Sequence, residues 1–179
     1  MHVLNIHERE FDSPSEQVGA LIDTLSSRND RLWPKDIWPP MEFDRPLAVG
    51  AVGGHGPIRY SIEEFQPGRS IKFRFLGPSG FDGFHAFDVR SDNSGRTVLR
   101  NTLEMNSHGP ALMTWPFVFR PLHDALMEDA MARAQASLGV DPEVKGWSAW
   151  VRLLRWILSG GKARSQRAPS PSAGVDDSG

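Results

Sequence analysis

The most regular pattern of apolar positions in the chain runs through residues 110–138. Apolar side chains recur there at steps of three and four, which places them along one face of a helix. The positions are Phe119, Leu122, Leu126, Ala130, Ala134 and Leu138. Gly139 and Pro142 follow as stop signals, and Pro116 indicates either a kink or a separate first turn. The pattern predicts one long helix, with the rest of the chain folded around it.

Residues 47–106 carry a different pattern, in which apolar and polar residues alternate over short stretches. The clearest case sets Ile71, Phe73 and Phe75 against Lys72 and Arg74, as expected for a strand with one buried face. Strands are predicted at 48–54, 58–65, 70–76, 83–90 and 96–106. Turn sequences at 66–69 and 92–95 join neighbouring strands closely. The strands should therefore form an antiparallel meander, one face of which the long helix covers.

The N-terminal residues predict a strand and a short helix. Residues 3–11 alternate as in a strand, although the apolar bias is clear only at the start. Ser13, Pro14 and Glu16 match a capping box at the start of a helix. The apolar face of that helix carries Val18, Leu21, Ile22 and Leu25. It is the second cover available to the sheet.

Residues 31–46 are rich in aromatic residues and prolines and are too interrupted for a regular element. Trp33, Trp38 and Phe43 are its prominent side chains. Aromatic residues at this density in a loop usually fold over something apolar. Either the loop is a lid on the protein's own core, or it gates a ligand site, and the sequence supports the two interpretations about equally.

Three stretches stand out within this order of elements: GHGPIRYSIEEFQPGRSIKFRF, GFHAFDV and RPLHDALMEDAMARA. Together with that order, they resemble the SRPBCC superfamily of START-like, polyketide cyclase/dehydrase and lipid-transport proteins. The resemblance covers residues 1–140. It implies an α+β helix-grip fold, in which a curved antiparallel sheet wraps around a long C-terminal helix and leaves an apolar cavity between them. It implies no single activity, since the family includes carriers, cyclases, hydrolase activators and hormone receptors.

Strand parity predicts which side chains would face such a cavity. The predicted ligand-binding residues are Tyr60, Ile62, Phe73, Phe75, His85, Phe87, Leu99, Asn101, Leu103, Leu122 and Leu126. A few converging polar groups in an apolar pocket are typical of a small-molecule site, and His85, Tyr60 and Asn101 would be those groups. His85 is the candidate general base, although an inward histidine is more often hydrogen-bonded within a core.

The sequence contains no metal or cofactor motif. Gly53, Gly54 and Gly56 flank His55 between two strands, and because no helix follows, they predict a bend rather than a phosphate-binding loop. The histidines lack the spacing of a zinc motif, and no serine stands in a nucleophile elbow. His123 lies at the edge of the helical stripe, where capping or a partner on the sheet is the expected role.

Composition narrows the class of protein. At 179 residues the chain fits one domain with an appendage. It has no cysteine, which excludes disulfides and thiolate metal sites. The N-terminus lacks the apolar run of a secretory signal, and no stretch is long and apolar enough to span a membrane. A cytoplasmic protein is therefore expected, with peripheral association at the membrane as an option.

A basic amphipathic segment follows the long helix. Residues 144–167 hold six basic residues and no acid, so the rest of the chain has 14 basic and 22 acidic residues, which argues against nucleic-acid binding. Residues 146–158 predict a helix with a tryptophan-rich apolar side. Its candidate contact residues are Trp147, Trp150, Arg152, Arg155 and Trp156. They suit either an anionic membrane or a protein partner, or docking on the domain's own acidic body or in a dimer.

The predicted organisation is a ligand-binding domain at 1–140, the basic helix at 141–158 and a disordered tail at 159–179. The first functional hypothesis is a carrier or sensor that binds a hydrophobic small molecule (a lipid, polyketide or aromatic metabolite) without a cofactor. The second is a cyclase/dehydrase-type enzyme that uses the same cavity, with His85 as base. The third is a non-catalytic interaction protein that acts through the C-terminal helix.

Overall fold

The computed structural model describes residues 1–91, 94–162, 165, 166 and 169. Within them, seven strands form one curved antiparallel sheet in the order β1-β7-β6-β5-β4-β3-β2. The strands are β1 His2–Phe11, β2 Glu42–Phe43, β3 Val52–His55, β4 Ile58–Gln66, β5 Ser70–Gly77, β6 Phe81–Ser91 and β7 Thr97–Ser107. The helices are α1 Ser15–Asp23, α2 Ala111–Thr114, α3 Arg120–Ser137 and α4 Ala149–Leu158, with a π-helical segment at Trp115–Phe119 between α2 and α3.

The predicted strand parity is confirmed by burial. Ile71, Phe73 and Phe75 of β5 are buried, and Lys72 and Arg74 between them are partly exposed. The same parity holds on β4, β6 and β7, where the buried residues are Ile58, Tyr60, Ile62, His85, Phe87, Thr97, Leu99, Asn101, Leu103 and Met105. The inner face of the sheet is therefore apolar along these four strands, and burial of that face is the main favourable contribution to folding.

The long helix is confirmed as α2, the π-helical segment and α3, continuous from Ala111 to Ser137. Pro116 lies inside the π-helical segment. The structure therefore accommodates this proline in a widened turn of one continuous helix, rather than in a separate first turn. Such a turn tolerates the missing N–H of proline. At the other end Gly139 adopts a φ of 75°, and the Val140 N–H donates to the Gln135 carbonyl at 3.0 Å, which is how a glycine terminates a helix.

The structure corrects two predictions near the N-terminus and in the first strand of the meander. The Ser13 capping box is wrong: α1 begins at Ser15, and the Pro14 carbonyl accepts the first helical bonds from Gln17 and Val18. No described side chain caps that end. The strand predicted at 48–54 begins only at Val52, since Ala48–Ala51 forms a turn closed by the bond from the Ala51 N–H to the Ala48 carbonyl.

Helix α1 closes one end of the sheet at close range. A Cβ placed on Gly19 would lie 1.8 Å from the carbonyl oxygen of Gly68, in the turn between β4 and β5. Gly68 has a φ of 69°, as the predicted turn at 66–69 requires, and its N–H donates to Asp23 at 2.8 Å. The helix is thus fixed against this turn, and the inner face at this end is filled by the protein itself.

Helix α4 is appended to α3 through one edge. Val151, Leu154 and Arg155 are buried, while Ile157 and Leu158, predicted on the apolar side, are more than half exposed. The helix begins with a side-chain cap in which Ser148 Oγ accepts from the Val151 N–H at 3.2 Å. None of the helices in the described part of the chain has the length and apolar character needed to cross a bilayer. Asp92, Asn93 and most of the predicted tail at 159–179 lie outside the described residues.

Candidate ligand-binding cavity

A cavity of about 780 Å³ lies between the sheet, the long helix and the aromatic loop. This volume is typical of small-molecule sites, which span roughly 300–1,000 Å³. The sheet contributes His55, Ile58, Phe75, Phe81, His85 and Leu103 to its wall, and the helix contributes Trp115, Val118, Phe119, Leu122, His123, Leu126 and Met127. The remaining wall comes from the aromatic loop at 33–40 and from Arg155, Leu158, Ser159 and Lys162.

The cavity occupies only one end of the inner face. It is bordered by the start of β4 and β6 and by the end of β5 and β7, whereas α1 packs on β5, β6 and β7 near the opposite end. Only some of the predicted ligand-binding and gating residues border it. Those that border the cavity are Phe75, His85, Leu103, Leu122, Leu126, Trp33 and Trp38.

The other predicted ligand-binding residues are core residues that do not border the cavity. They are Tyr60, Ile62, Phe73, Phe87, Leu99 and Asn101. Asn101 donates to the Ala86 carbonyl at 3.1 Å. Phe43, predicted to gate the site, packs on Tyr60 and Phe73 at ring separations of 5.7 and 5.8 Å and is likewise not part of the wall.

Three histidines border this apolar space: His55, His85 and His123. His85 stacks between aromatic neighbours, 4.7 Å from the ring of Phe73 and 5.5 Å from that of Phe75. Its Nε2 is inaccessible to water and has no hydrogen-bond partner among the described residues. Both ring nitrogens of His123 are in the same condition. An orphaned buried polar atom costs about 1–3 kcal/mol, so these nitrogens lower the stability of the protein in this arrangement.

The cavity histidines are neutral at physiological pH. Burial, assisted by the charge of Arg59, lowers the pKa of His55 to about 4. Burial, together with the nearby His7, lowers the pKa of His123 to about 3, and burial holds the pKa of His85 well below its usual value of 6.5. A neutral imidazole offers one N–H donor and one acceptor nitrogen. The three histidines therefore present uncharged hydrogen-bonding groups, while Arg155 and Lys162 are the basic residues of the wall.

The aromatic loop and α4 are fastened together over α3. The indole N–H groups of Trp38 and Trp147 both donate to Asp129 Oδ2, at 2.7 and 2.8 Å. The Arg155 guanidinium lies 4.0 Å from the Trp38 ring and 4.1 Å from the Trp147 ring, and it donates to the Ile37 carbonyl. We call these four side chains, Trp38, Asp129, Trp147 and Arg155, the indole clamp. The clamp keeps Arg155, predicted at the sequence level as a membrane or partner contact, 9% exposed.

An exposed apolar surface lies beside the clamp. Helix α4 and the π-helical segment are joined by a bond from Trp150 Nε1 to the Phe117 carbonyl at 2.8 Å. Around this junction the exposed apolar residues are Leu112, Met113, Phe117, Trp150, Leu153, Trp156, Ile157 and Leu158. Of these, Leu158 also borders the cavity, so the surface reaches the edge of the site.

Comparison with known proteins identifies the fold. No protein-family model and no curated protein matches this sequence. A norcoclaurine synthase structure from Thalictrum flavum, in complex with dopamine and hydroxybenzaldehyde, aligns over 80% of this chain and 90% of its own, with a TM-score of 0.57 and 14% identity. A protein from Thermobifida fusca aligns over 79% and 99%, with a TM-score of 0.57 and 14% identity. Ara h 8.0201 aligns over 78% and 99%, with a TM-score of 0.55 and 10% identity.

The fold is the helix grip. The likeness confirms the predicted α+β architecture of a curved sheet around a long C-terminal helix. At identities this low it carries information on the fold alone. The resemblance to START-like proteins deduced from the sequence is thus supported at the level of architecture.

Sequence reasoning missed several wall residues. His55 was assigned to a bend, yet its ring packs 4.7 Å from that of Trp33 and borders the cavity. His123 was placed at the edge of the stripe, and Trp115 and Phe119 were not assigned to a site. A signal was available for His55 and His123, since both lie in the stretches that resemble the superfamily.

Proposed function

We propose that this protein is a START-like member of the SRPBCC superfamily that binds a hydrophobic small molecule in the cavity, as a carrier or sensor. The observation that supports the proposal best is the wall itself. It surrounds about 780 Å³ largely with aromatic and aliphatic side chains. It also carries two histidines, His85 and His123, with nitrogens that have no partner in the described part of the chain. A site of this kind suits a largely apolar molecule with one or two hydroxyl, carbonyl or amine groups.

The structural likeness is consistent with a small-molecule partner. The norcoclaurine synthase structure holds dopamine and hydroxybenzaldehyde, which are small and aromatic. It supports a small ligand for a helix-grip cavity, and the chemistry of this protein's ligand has to come from its own wall. The neutral histidines favour uncharged polar groups on the part of the ligand next to them, and any negative charge on the ligand would lie toward Arg155 and Lys162.

The first test is native mass spectrometry of the protein purified from its own host, followed by extraction of any passenger. We expect a stoichiometric hydrophobic molecule. Binding of that molecule should weaken at least tenfold in Leu103→Trp, which fills the cavity, and should be unchanged in Leu76→Trp, since Leu76 lies on the outer face of β5 and is 58% exposed. Equal binding by both variants would place the ligand elsewhere.

The alternative is a cyclase/dehydrase-type enzyme with His85 as general base. His85 is favoured by its position on the wall and by its Nε2, which has no hydrogen-bond partner among the residues that the structure describes. Its low pKa argues the other way, since a base is most effective when its pKa lies near the working pH. The variant His85→Ala separates the two functions: an enzyme would lose turnover while it still binds, whereas a carrier shows no turnover even as the wild type.

We further propose that α4 delivers or collects the ligand at an anionic membrane surface. Exposed Trp156, Leu153 and Ile157 supply the apolar contact, and residues 144–162 contain basic side chains and no acid. Tryptophans with a basic polar edge suit the interface of anionic lipid. The exposed surface adjoins the cavity through Leu158, which gives an apolar ligand a short path.

Vesicle sedimentation tests this surface. We expect binding to vesicles that contain phosphatidylglycerol, weaker binding to phosphatidylcholine alone, and a loss in high salt. Trp156→Ser together with Ile157→Ser should abolish it. The matched control is Leu4→Ser, which removes a side chain of similar exposure, 56%, from the outer face of β1. Equal binding by the double variant and the control would contradict the assignment.

A further inference from the structure

We infer that His7, His123 and Asp124 form a binding site for a divalent transition-metal ion. One donor atom from each residue lies within 4.8 Å of the other two. His7 comes from β1, and the other two come from the first turns of α3. The site lies where the first strand packs against the long helix, and it shares His123 with the cavity wall.

The middle of the inner face of β1 is polar, between the buried apolar residues Val3 and Phe11. Asn5, His7 and Arg9 face the long helix, while Leu4 and Ile6 of the same strand point outward and are 56% and 44% exposed. On the helix, Asp124 and Glu128 meet them. Polar side chains of β1 and α3 therefore pair with each other where the rest of the sheet mostly buries apolar side chains. Such pairing fixes polar atoms in place, as a metal site requires.

His7 stands between two carboxylates. Its Nε2 lies 3.2 Å from Asp124 Oδ1, and its Nδ1 lies 3.4 Å from Glu128 Oε1. A neutral imidazole has one N–H and can donate to only one of them. A metal on Nε2 leaves the proton on Nδ1 for Glu128 and makes Asp124 a fellow ligand. This is the carboxylate–histidine–metal arrangement common in metal sites.

The distance between the donor atoms of His7 and Asp124 fits a bound ion, and the donor nitrogen of His123 lies within 4.8 Å of both. Ligand atoms that each lie about 2.0–2.1 Å from a tetrahedral zinc ion are roughly 3.3 Å apart, and the separation of His7 Nε2 and Asp124 Oδ1 is 3.2 Å. Two imidazoles and one carboxylate form a donor set that both Zn²⁺ and Fe²⁺ accept.

Two of the proposed metal ligands, Asp124 and His7, are held in position by hydrogen bonds and ion pairs with other side chains. Asn5 donates to Asp124 Oδ1 at 2.8 Å. Glu128, the partner of His7 Nδ1, is itself held by Arg9 at 2.9 Å and by Lys145 at 3.0 Å. Outer partners of this kind orient metal ligands and keep them from swinging away.

His123 supplies the independent observation that points to a ligand. Both of its ring nitrogens are inaccessible to water and have no hydrogen-bond partner in the described part of the chain, although its ring centroid is only 5.7 Å from that of His7. A metal on one nitrogen would give that buried atom a partner. His123 also borders the cavity, so a fourth coordination position would be reached from that side, as in sites with three protein ligands and an open position.

The test uses the metal alone, on the full chain freed of metal by a chelator. We expect one Co²⁺ per chain, with the visible absorption of a cobalt ion of low coordination number, and displacement of Co²⁺ by Zn²⁺. The same titration with Fe²⁺ under anaerobic conditions identifies the preferred ion. His123→Gln and His7→Gln should each weaken binding at least about 100-fold, and Glu128→Gln, an outer partner, about 10–100-fold.

Two matched controls accompany these variants. His85→Gln alters a histidine of the same cavity wall outside the cluster, and His2→Gln alters an exposed histidine of the same strand; both should bind metal as the wild type does. Circular dichroism checks folding. Should an imidazole variant fail to fold, Asp124→Asn takes its place, since Asp124 is 40% exposed at the edge of the cluster.

The outcomes are distinct. The absence of stoichiometric binding of Co²⁺, Zn²⁺ and Fe²⁺ by the wild type at micromolar concentrations would overturn the site, and His7 would then serve as a structural link between β1 and the two carboxylates of α3. Binding that survives in folded His123→Gln would overturn it as well. Neither outcome bears on whether the cavity holds a hydrophobic molecule, which the passenger experiment measures separately.

Discussion

The indole clamp is the contact whose removal has the most definite consequence. Asp129→Ala deletes the acceptor shared by the indoles of Trp38 and Trp147 and the nearest negative charge to the buried Arg155. Each indole left without a partner costs about 1–3 kcal/mol, and a buried cation that loses its counter-charge adds to this. We expect a loss of about 3–5 kcal/mol in the free energy of unfolding.

The variant Asp129→Asn separates hydrogen bonding from charge. Burial raises the pKa of Asp129 even though the two indoles and Gln166 donate to it, so the carboxylate is held in an unfavourable environment. An asparagine keeps an oxygen that can accept from the indoles. It should therefore cost about 1–2 kcal/mol, clearly less than alanine.

Urea unfolding followed by tryptophan fluorescence measures both values. In a thermal scan, the alanine variant should melt roughly 6–20 °C below the wild type. Asp141→Ala, an exposed acid between α3 and α4, is the control and should be neutral. A loss below about 1 kcal/mol in Asp129→Ala would refute the reasoning, because two indoles cannot lose a buried acceptor at that cost. Loss of the clamp should also speed ligand exchange, since it releases the loop that covers the cavity.

Two further predictions concern pH and packing. Because burial depresses the pKa of His55 and His123 in the folded state to about 4 and about 3, their contribution to stability is complete above an unfolded pKa near 6.5 and falls as the pH drops toward those values. Between the folded and unfolded pKa values, each histidine lowers the free energy of unfolding by about 1.4 kcal/mol for every pH unit of acidification. Urea titrations between neutral and acidic pH should show a shallower slope in His55→Gln, and an unchanged slope would contradict the assignment. Gly19→Ala should lose about 1–3 kcal/mol because its Cβ would meet the Gly68 carbonyl at 1.8 Å; in the same urea assay Ala20→Ser, at an exposed position of α1, serves as control, and an equal effect of the two changes would argue against the close contact.

The sheet could be predicted from the sequence wherever each strand pairs apolar residues with an apolar covering element. On β5 the alternation of Phe73 and Phe75 with Arg74 has one solution, since the reverse parity would bury a cation and expose two aromatic rings. The first strand breaks this rule. Leu4 and Ile6 point outward, and His7 points inward because α3 offers carboxylates at that place. The carboxylates that pair with His7 lie more than a hundred residues away in the sequence, so the alternation of residues within β1 cannot reveal them.

The sequence predicts that a cavity lies between the sheet and the long helix, but it identifies only some of the residues that border it. The resemblance implied a space between sheet and helix, and parity identified the inner face. Which part of that face stays empty depends on how far α1 reaches from the other end, and Gly19 decides that by its close approach to Gly68. Tyr60 pairs with Phe75 and Phe73 pairs with His85 in the sheet, yet only Phe75 and His85 border the cavity. Phe43 packs on Tyr60 and Phe73, and these two are core residues. The π-helical segment at Trp115–Phe119 has more residues per turn than an α-helix. A regular 3.6-residue pattern therefore does not predict on which side of the helix Trp115 lies.

Two interpretations of the basic helix, docking on the domain and contact with a membrane, are compatible in the structure. The edge of α4 with Val151, Leu154 and Arg155 is buried on the domain, and the opposite edge with Trp156 and Ile157 is exposed. If the exposed edge meets lipid as proposed, the clamp can remain closed, because no buried residue has to leave the domain. Amide hydrogen exchange then gives a definite expectation: vesicles that contain phosphatidylglycerol should protect residues 149–158 and leave exchange in the aromatic loop at 33–40 unchanged. Faster exchange in that loop on binding would show instead that the helix leaves the domain and opens the cavity.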